Sequence, residues 1–187
     1  MQPEFYHGLL GQGGRAMRTL TLFAPLSGPL LPIEEVPDPV FAGKMVGDGI
    51  SIDPVTSTLL APCDADVLAV HPSGHAITLT ADGGVEIILH VGLDTVTLRG
   101  EGFLPLKKKG DRVRAGEPLV EFAADYVATH APSLLTQIVI ATPELISTLT
   151  KRHGYVEAGR DVILEAFLSG VEAPVAGGAD MGAATLV

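Results

Sequence analysis

Between residues 18 and 170 the chain alternates apolar and polar positions in short runs, each closed by turn residues. The runs fall at 20–24, 49–52, 66–70, 76–81, 85–89, 112–113, 119–122, 137–140 and 162–167. Period-two alternation over two to six residues, punctuated by Gly, Pro and Asp, predicts strands. Helical signals are few. Thr142-Pro143-Glu144 reads as a cap with Pro at the first helical position and predicts a short helix through about Leu149. A second short turn is expected over 124–128. Without crossover helices, parallel βαβ units are excluded, so the expected fold is all-β: an antiparallel β-sandwich, barrel-like, with short helical turns.

Texture divides the chain into three zones. Residues 1–17 are glycine-rich and aperiodic, read as a flexible leader. Residues 18–170 hold the alternation and predict one domain. Residues 171–187 are rich in Ala and Gly with Pro174, the composition of a linker or tail. Hydrophobic residues make up 47 % of the chain, which argues against disorder of the whole, and Gly 22 with Pro 14 suits many strands joined by turns. The longest apolar runs fall well short of the roughly 18–20 residues that span a bilayer, so direct membrane insertion is not expected. A single cysteine, Cys63, cannot form an internal disulfide and fits a reducing, cytoplasmic setting. The net charge of −10 disfavours nucleic acid as a partner and suits a basic protein.

Two of the six histidines can be placed against one another. Asp82-Gly83 separates the strand-like stretches 75–81 and 84–90, and Asp-Gly favours a two-residue type I′ hairpin. In that register residue i faces residue 165 − i, which sets His75 opposite His90 with Cβ atoms about 5 Å apart. It also puts Ile77 and Leu79 with Ile88 and Glu86 on the histidine face, and a one-residue slip would separate the histidines. Such a pair suits two chemistries. One imidazole can attack phosphorus while the other donates to the phosphoryl oxygens. Alternatively both can bind Zn²⁺ alongside further ligands. The residues alone leave these open.

The run Ala24-Pro25-Leu26-Ser27-Gly28, the stretch Val36-Pro37-Asp38-Pro39-Val40-Phe41-Ala42 and the block Val46-Gly47-Asp48-Gly49-Ile50 resemble the glucose-type enzyme IIA domain of the phosphoenolpyruvate-dependent sugar phosphotransferase system. The resemblance continues through Ala61-Pro62 and His75-Ala76 to His90-Val91-Gly92-Leu93-Asp94-Thr95-Val96 and Gly100-Glu101-Gly102-Phe103, covering about residues 19–168. It implies an antiparallel β-sandwich. It implies that His90 is phosphorylated, that His75 stabilises the phosphoryl group and that Ser73 orients His75. It further implies that Asp38 and Asp94 face an arginine of the partner, and that Val40, Phe41, Val46 and Ile88 form an apolar docking ring. The implied partners are the histidine phosphocarrier protein, which donates, and a transporter IIB domain, which accepts on a cysteine. The implied activity is that of a phosphotransferase component serving sugar uptake, with no metal or other cofactor.

Three positions depart from the family's usual pattern. His71 stands where an aromatic or apolar residue is common; it is either a surface histidine or a third imidazole at the site. Ile77 replaces what is often another aromatic. Cys63 takes the place of a small apolar residue and is expected to be packed, not reactive. The stretch from Lys109 to Leu119 resembles the turn-strand-turn of biotinyl and lipoyl carrier domains, with Lys44-Met45 the nearest match to their swinging-arm lysine. Two alternatives to the relay reading are a regulatory, phosphorylatable binding module and a zinc hydrolase of related β architecture. The composition of 171–187 further suggests tethering to another relay domain, since a tether raises effective concentration into the millimolar range.

Overall fold

A computed structural model describes residues 18–169. The leader at 1–17 and the Ala/Gly-rich stretch at 171–187 lie outside the described residues. The first seven strands are β1 (Thr19–Phe23), β2 (Gly28–Pro32), β3 (Asp48–Ile52), β4 (Thr58–Leu60), β5 (Ala65–Val70), β6 (Ala76–Ala81) and β7 (Glu86–His90). The next seven are β8 (Phe103–Pro105), β9 (Arg112–Val113), β10 (Pro118–Phe122), β11 (Thr136–Ile140), β12 (Ile146–Lys151), β13 (Tyr155–Val156) and β14 (Val162–Leu168). Two short helices, α1 (Pro39–Ala42) and α2 (Ala124–His130), complete the regular structure with a few 3₁₀ turns.

Every strand pair is antiparallel. The large sheet runs in the order β13-β2-β3-β11-β7-β6-β5-β9, and two three-stranded sheets, β1-β14-β12 and β4-β10-β8, accompany it. Between them lies one apolar core that includes Leu22, Ile50, Ile52, Ile77, Leu79, Ile87, Leu89, Ile138 and Leu164. A second, smaller cluster joins Ile33, Val36, Phe41, Leu93 and Val139, with Leu31, Val46 and Ile88 packed against it. Alternation along β7 and β11 explains the division. Ile87, Leu89 and Ile138 point into the main core, while Ile88 and Val139 point through the other face of the sheet toward Phe41.

The hairpin register differs from the sequence expectation. The loop has three residues, not two: Asp82, Gly83 and Gly84 form a 3₁₀ turn, with Gly83 and Gly84 at φ +77° and +79°. Ala81 N–H donates to the Val85 carbonyl at 2.8 Å, and the ladder pairs Ala76 with His90 and Ile77 with Leu89. Burial selects this register. It gathers Ile77, Leu79, Ala81, Val85, Ile87 and Leu89 on one face, whereas the two-residue turn would have paired Ile77 with Ile88 and split them.

The helix expected through Leu149 is also corrected. Only Pro143–Leu145 turns, as a 3₁₀ segment, and Ile146–Lys151 is strand β12 on the edge of β14. The β-branched residues Ile146, Thr148 and Thr150 fit a half-exposed strand better than a helix. Conversely, α1 was not anticipated, although Asp38-Pro39 is its signal: Asp38 Oδ1 accepts from Val40 N–H at 2.8 Å, and Pro39 occupies the first turn.

The segment carrying Phe41 is fastened by charge. Lys44 Nζ meets Glu34 at 2.6 Å and Asp48 at 3.2 Å, while Lys151 Nζ meets Asp48 at 2.5 Å. Burial pushes the Asp48 carboxyl up, but hydrogen bonds from Lys151 and Lys44 outweigh it and hold the group below its ordinary value. Lys44 is thus engaged in ion pairs at a left-handed position, φ 54°, inside the segment. Cys63 is buried, and desolvation pushes its thiol up to about 12.

β3 crosses β11 so closely that a Cβ on Gly49 would lie 1.9 Å from the Ile138 carbonyl oxygen. Replacing Gly49 with Ala therefore forces the two central strands apart. The expected cost is roughly 1–3 kcal/mol or more, read as a lowered urea midpoint at unchanged m-value.

Candidate functional site

β7 delivers His90 as its last residue, on the face opposite the main core, beside Phe41 of α1. The two rings meet edge to face at a centroid distance of 5.3 Å. His90 Nδ1–H donates to the Gly92 carbonyl at 2.8 Å. That bond fixes the neutral tautomer, leaving the Nε2 lone pair free. The turn depends on Gly92 at φ +75°, where a Cβ would lie 2.5 Å from Thr95 Cγ2 and 2.9 Å from the Ser133 carbonyl.

His75 lies just outside β6, in the bend after Gly74 at φ +72°, so its side chain is released from the strand's alternation. Its carbonyl still accepts from Val91 N–H at 2.9 Å. The His75 and His90 rings are 4.8 Å apart at 74°. The sequence reading thus anticipated proximity through a register that does not exist. The slip that was expected to separate the histidines occurs, and the bend at residues 74–75 brings the rings together regardless. Phe103 stands on the far edge of His75 at 6.3 Å.

The hydroxyl of Ser73 lies 2.6 Å from His75 Nδ1 and 2.8 Å from His71 Nδ1. His71 is the exposed end of this chain and Ser73 and His75 are buried. The His71 and His75 rings are 4.4 Å apart. Of the two readings of His71, the structure favours the third imidazole.

The remaining expected residues surround the pair less tightly. Asp38 caps α1, and its negative charge favours protonation of His90. Val40 is exposed; Val46 and Ile88 are partly buried against the Phe41 cluster. Asp94 opens the turn Thr95–Leu98 in a left-handed conformation at φ 54°, four residues beyond His90. Among the described residues, no group of three or more His, Cys, Asp or Glu side chains is placed to hold a metal ion.

The sequence marks Gln137 only as part of the strand expected over 137–140. It is the cross-strand partner of His90 in β11 and is fully buried. Its Nε2 donates to the Leu135 carbonyl at 2.6 Å, while Oε1 is buried without a partner. Its only mark in the sequence is a polar residue at the head of the apolar run Ile138–Ile140.

Burial governs the charge state of both histidines. Desolvation, then the neighbouring His90 and His71, bring His75 from 6.5 down to about 4. His90 is also lowered by desolvation, against the opposing pull of the Gly92 carbonyl, Asp38 and the Gln137 side chain. Both rings are accordingly neutral near pH 7, with one nucleophilic nitrogen exposed by the hydrogen-bonding of His90.

The described sequence matches the family model for the phosphoenolpyruvate-dependent sugar phosphotransferase system, EIIA 1, over residues 20–145. It is 41 % identical over 141 residues to a glucose-specific EIIA component of that system from Staphylococcus aureus, covering 75 % of this chain and 85 % of the relative. It is 45 % identical over 126 residues to a mannose-specific EIIBCA component from Corynebacterium glutamicum, covering 67 % of this chain but 18 % of that longer protein. Among solved structures it resembles the glucose permease IIA from Mycoplasma capricolum, with a TM-score of 0.74, 33 % identity, and coverage of 79 % of this chain and 96 % of that one.

Two expectations follow from the electrostatics. The unfolded chain binds a proton at His75 below about 6.5 that the folded chain refuses until about 4. Stability therefore falls as pH drops through that window, and denaturation measured from pH 7 to 4 should show a shallower loss in His75→Gln. Replacing Gln137 with Leu removes one of the groups that favour protonated His90, so the His90 ring should titrate still lower by NMR.

Proposed function

Since this chain belongs to the EIIA 1 family of the phosphoenolpyruvate-dependent sugar phosphotransferase system, we propose that His90 Nε2 is the atom on which it carries the phosphoryl group. The observation that carries this reading is the neutral His90 with its Nδ1–H committed to Gly92, set 4.8 Å from a second buried imidazole.

The relay runs as an in-line displacement. The Nε2 lone pair attacks the phosphorus of the phosphorylated histidine phosphocarrier protein; the donor's P–N bond breaks, and its electron pair returns to the donor imidazole. The reverse geometry then passes the group to a cysteine thiolate of the transporter's IIB domain, forming P–S as P–N breaks. Positioning and charge stabilisation suffice for such a step. His75 supplies the donor to the phosphoryl oxygens when its proton sits on Nε2, and Ser73 holds that ring in place. Phe41, with Val46 and Ile88 packed beside it and Val40 exposed at the rim, forms an apolar collar that keeps water from the labile P–N bond.

Asp38 and Asp94 carry the electrostatics of docking. A carboxylate beside a dianionic phosphoryl group repels it, so these residues favour complexes in which a basic partner brings an arginine to screen them. The net charge of −10 steers such a partner and slows like-charged ones. No helix of the described residues is long and apolar enough to cross a membrane, and the single cysteine suits the reducing cytoplasm in which we place this relay. The fused EIIBCA relative motivates a tethered arrangement for this chain as well, in which local concentration replaces affinity.

Incubation with phosphoenolpyruvate, enzyme I and the phosphocarrier protein tests the reading. Acid-labile phosphate should appear on His90 and be absent from His90→Ala. His75→Gln should still accept phosphate but transfer it more slowly by about 10²–10³-fold, the usual worth of one transition-state donor. An unlabelled but folded wild-type chain, with the other components active, overturns the reading.

A further inference from the structure

The chain His71–Ser73–His75 contains a conflict over one proton. Ser73 has a single hydroxyl hydrogen, yet its oxygen sits within hydrogen-bonding distance of two imidazole Nδ1 atoms, at 2.8 Å from His71 and 2.6 Å from His75. A hydroxyl donates once and can accept twice. Whichever ring receives the Ser73 proton, the other must supply one of its own to the Ser73 oxygen. A short distance to both means that the two rings cannot both be bare at Nδ1.

A third contact biases the choice. The Ser73 backbone N–H points at His71 Nδ1, at 3.3 Å. An N–H cannot accept, so in neutral His71 this contact favours a bare Nδ1. The Ser73 hydroxyl then donates to His71 as well, and His75 must donate Nδ1–H to Ser73. That leaves the Nε2 of His75 without a proton. This is the wrong tautomer for a ring that has to donate to phosphoryl oxygens, and a buried, neutral imidazole has no second proton to offer. If instead His71 carries hydrogen on Nδ1, the direction reverses: His71 donates to Ser73, Ser73 to His75, and the His75 proton moves to Nε2.

We infer that His71 is a positioning residue that sets the tautomer of His75 through Ser73, and thereby decides whether His75 presents a donor at the His90 side. The tautomer assignment stands on the hydrogen-bond geometry alone; its consequence for transfer rests on the relay function proposed above. His71 touches neither His90 nor the reacting phosphorus. Its exposed position lets it exchange protons with solvent, while His75 and His90, the titratable groups that feel its charge, are enclosed. The arrangement needs an imidazole at position 71, because an apolar ring there would leave the Ser73 proton to His75 without contest.

Nitrogen-15 NMR of the histidine rings in the full chain tests this directly, since a bare ring nitrogen resonates far from a protonated one. Under conditions where the spectrum shows His71 itself neutral, His75 should show substantial Nδ1–H character. His71→Phe should convert His75 to the Nε2–H form, and so should protonation of His71 in the unaltered chain. In Ser73→Ala the link is cut, so adding His71→Phe should leave the His75 pattern unmoved. Onward phosphoryl transfer from His90 should be faster in His71→Phe by roughly 2–10-fold, the inverse of the competent fraction. Identical His75 tautomers in the unaltered chain and in His71→Phe overturn the inference. So does a His71→Phe effect that persists in the Ser73→Ala background. If none of the chains accepts phosphate while the tautomer switch is seen, the relay function fails and the tautomer assignment stands.

Discussion

Everything at the histidine pair depends on which side of the large sheet the hairpin β6–β7 turns its apolar residues. Ile77 and Leu79 must share a face with Ile87 and Leu89, and burying each such side chain is worth about 1.5–3 kcal/mol. No single turn preference competes with four of these. The hairpin therefore takes the extra glycine into its loop, and the register that follows sends His90 through the opposite face. There the sheet is covered not by another sheet but by the Phe41 segment, clamped by Lys44, Lys151, Glu34 and Asp48. The histidine proposed to carry the phosphoryl group thus sits at the margin of a second, small apolar cluster, dry enough to be neutral and only partly buried.

That margin reconciles two demands that ordinarily conflict. A nucleophilic imidazole needs its lone pair, which burial protects by disfavouring the cation. The same burial would disfavour the dianionic product unless donors are already in place. The structure separates the tasks. The Gly92 carbonyl fixes the proton of His90 on Nδ1, away from the nitrogen proposed to carry the phosphoryl group, and the second imidazole offers a donor only when its link to Ser73 leaves its proton on Nε2. The Gly92 carbonyl, Asp38 and Gln137 oppose the desolvation at His90 only in part, so its ring is held below its ordinary value.

Local alternation was enough to reveal most of the strands, because antiparallel sheets with one buried face write period two into the chain. Strands β2, β4, β8 and β13 escaped because they are short or begin at Gly and Pro, and α1 escaped because four residues carry no period at all. Thr142-Pro143 signalled a helix start correctly as a turn, but tertiary pairing with β14 claimed the residues that followed. The hairpin shows the limit most clearly. Asp82-Gly83 is a strong local signal, and Gly84 beside it was the clue that a longer loop could serve; only the distribution of apolar residues over both strands decides between them. At the site, His75 and His90 were legible by type and by motif. Gln137 was not, since its meaning comes from the strand across from it, and His71 was legible only as an anomaly whose partners the chain does not name.

The one thiol of the chain bears on how the relay stays faithful. Its proposed terminal acceptor is a thiolate, and a carrier with a competing thiolate of its own would leak. Cys63 is enclosed in the main core with its thiol held at about 12. At neutral pH the ionised fraction is on the order of 10⁻⁵, and the thiolate, not the thiol, is the nucleophile. The domain is therefore chemically deaf to the very reaction it serves, and the phosphoryl group has no internal short circuit to fall into.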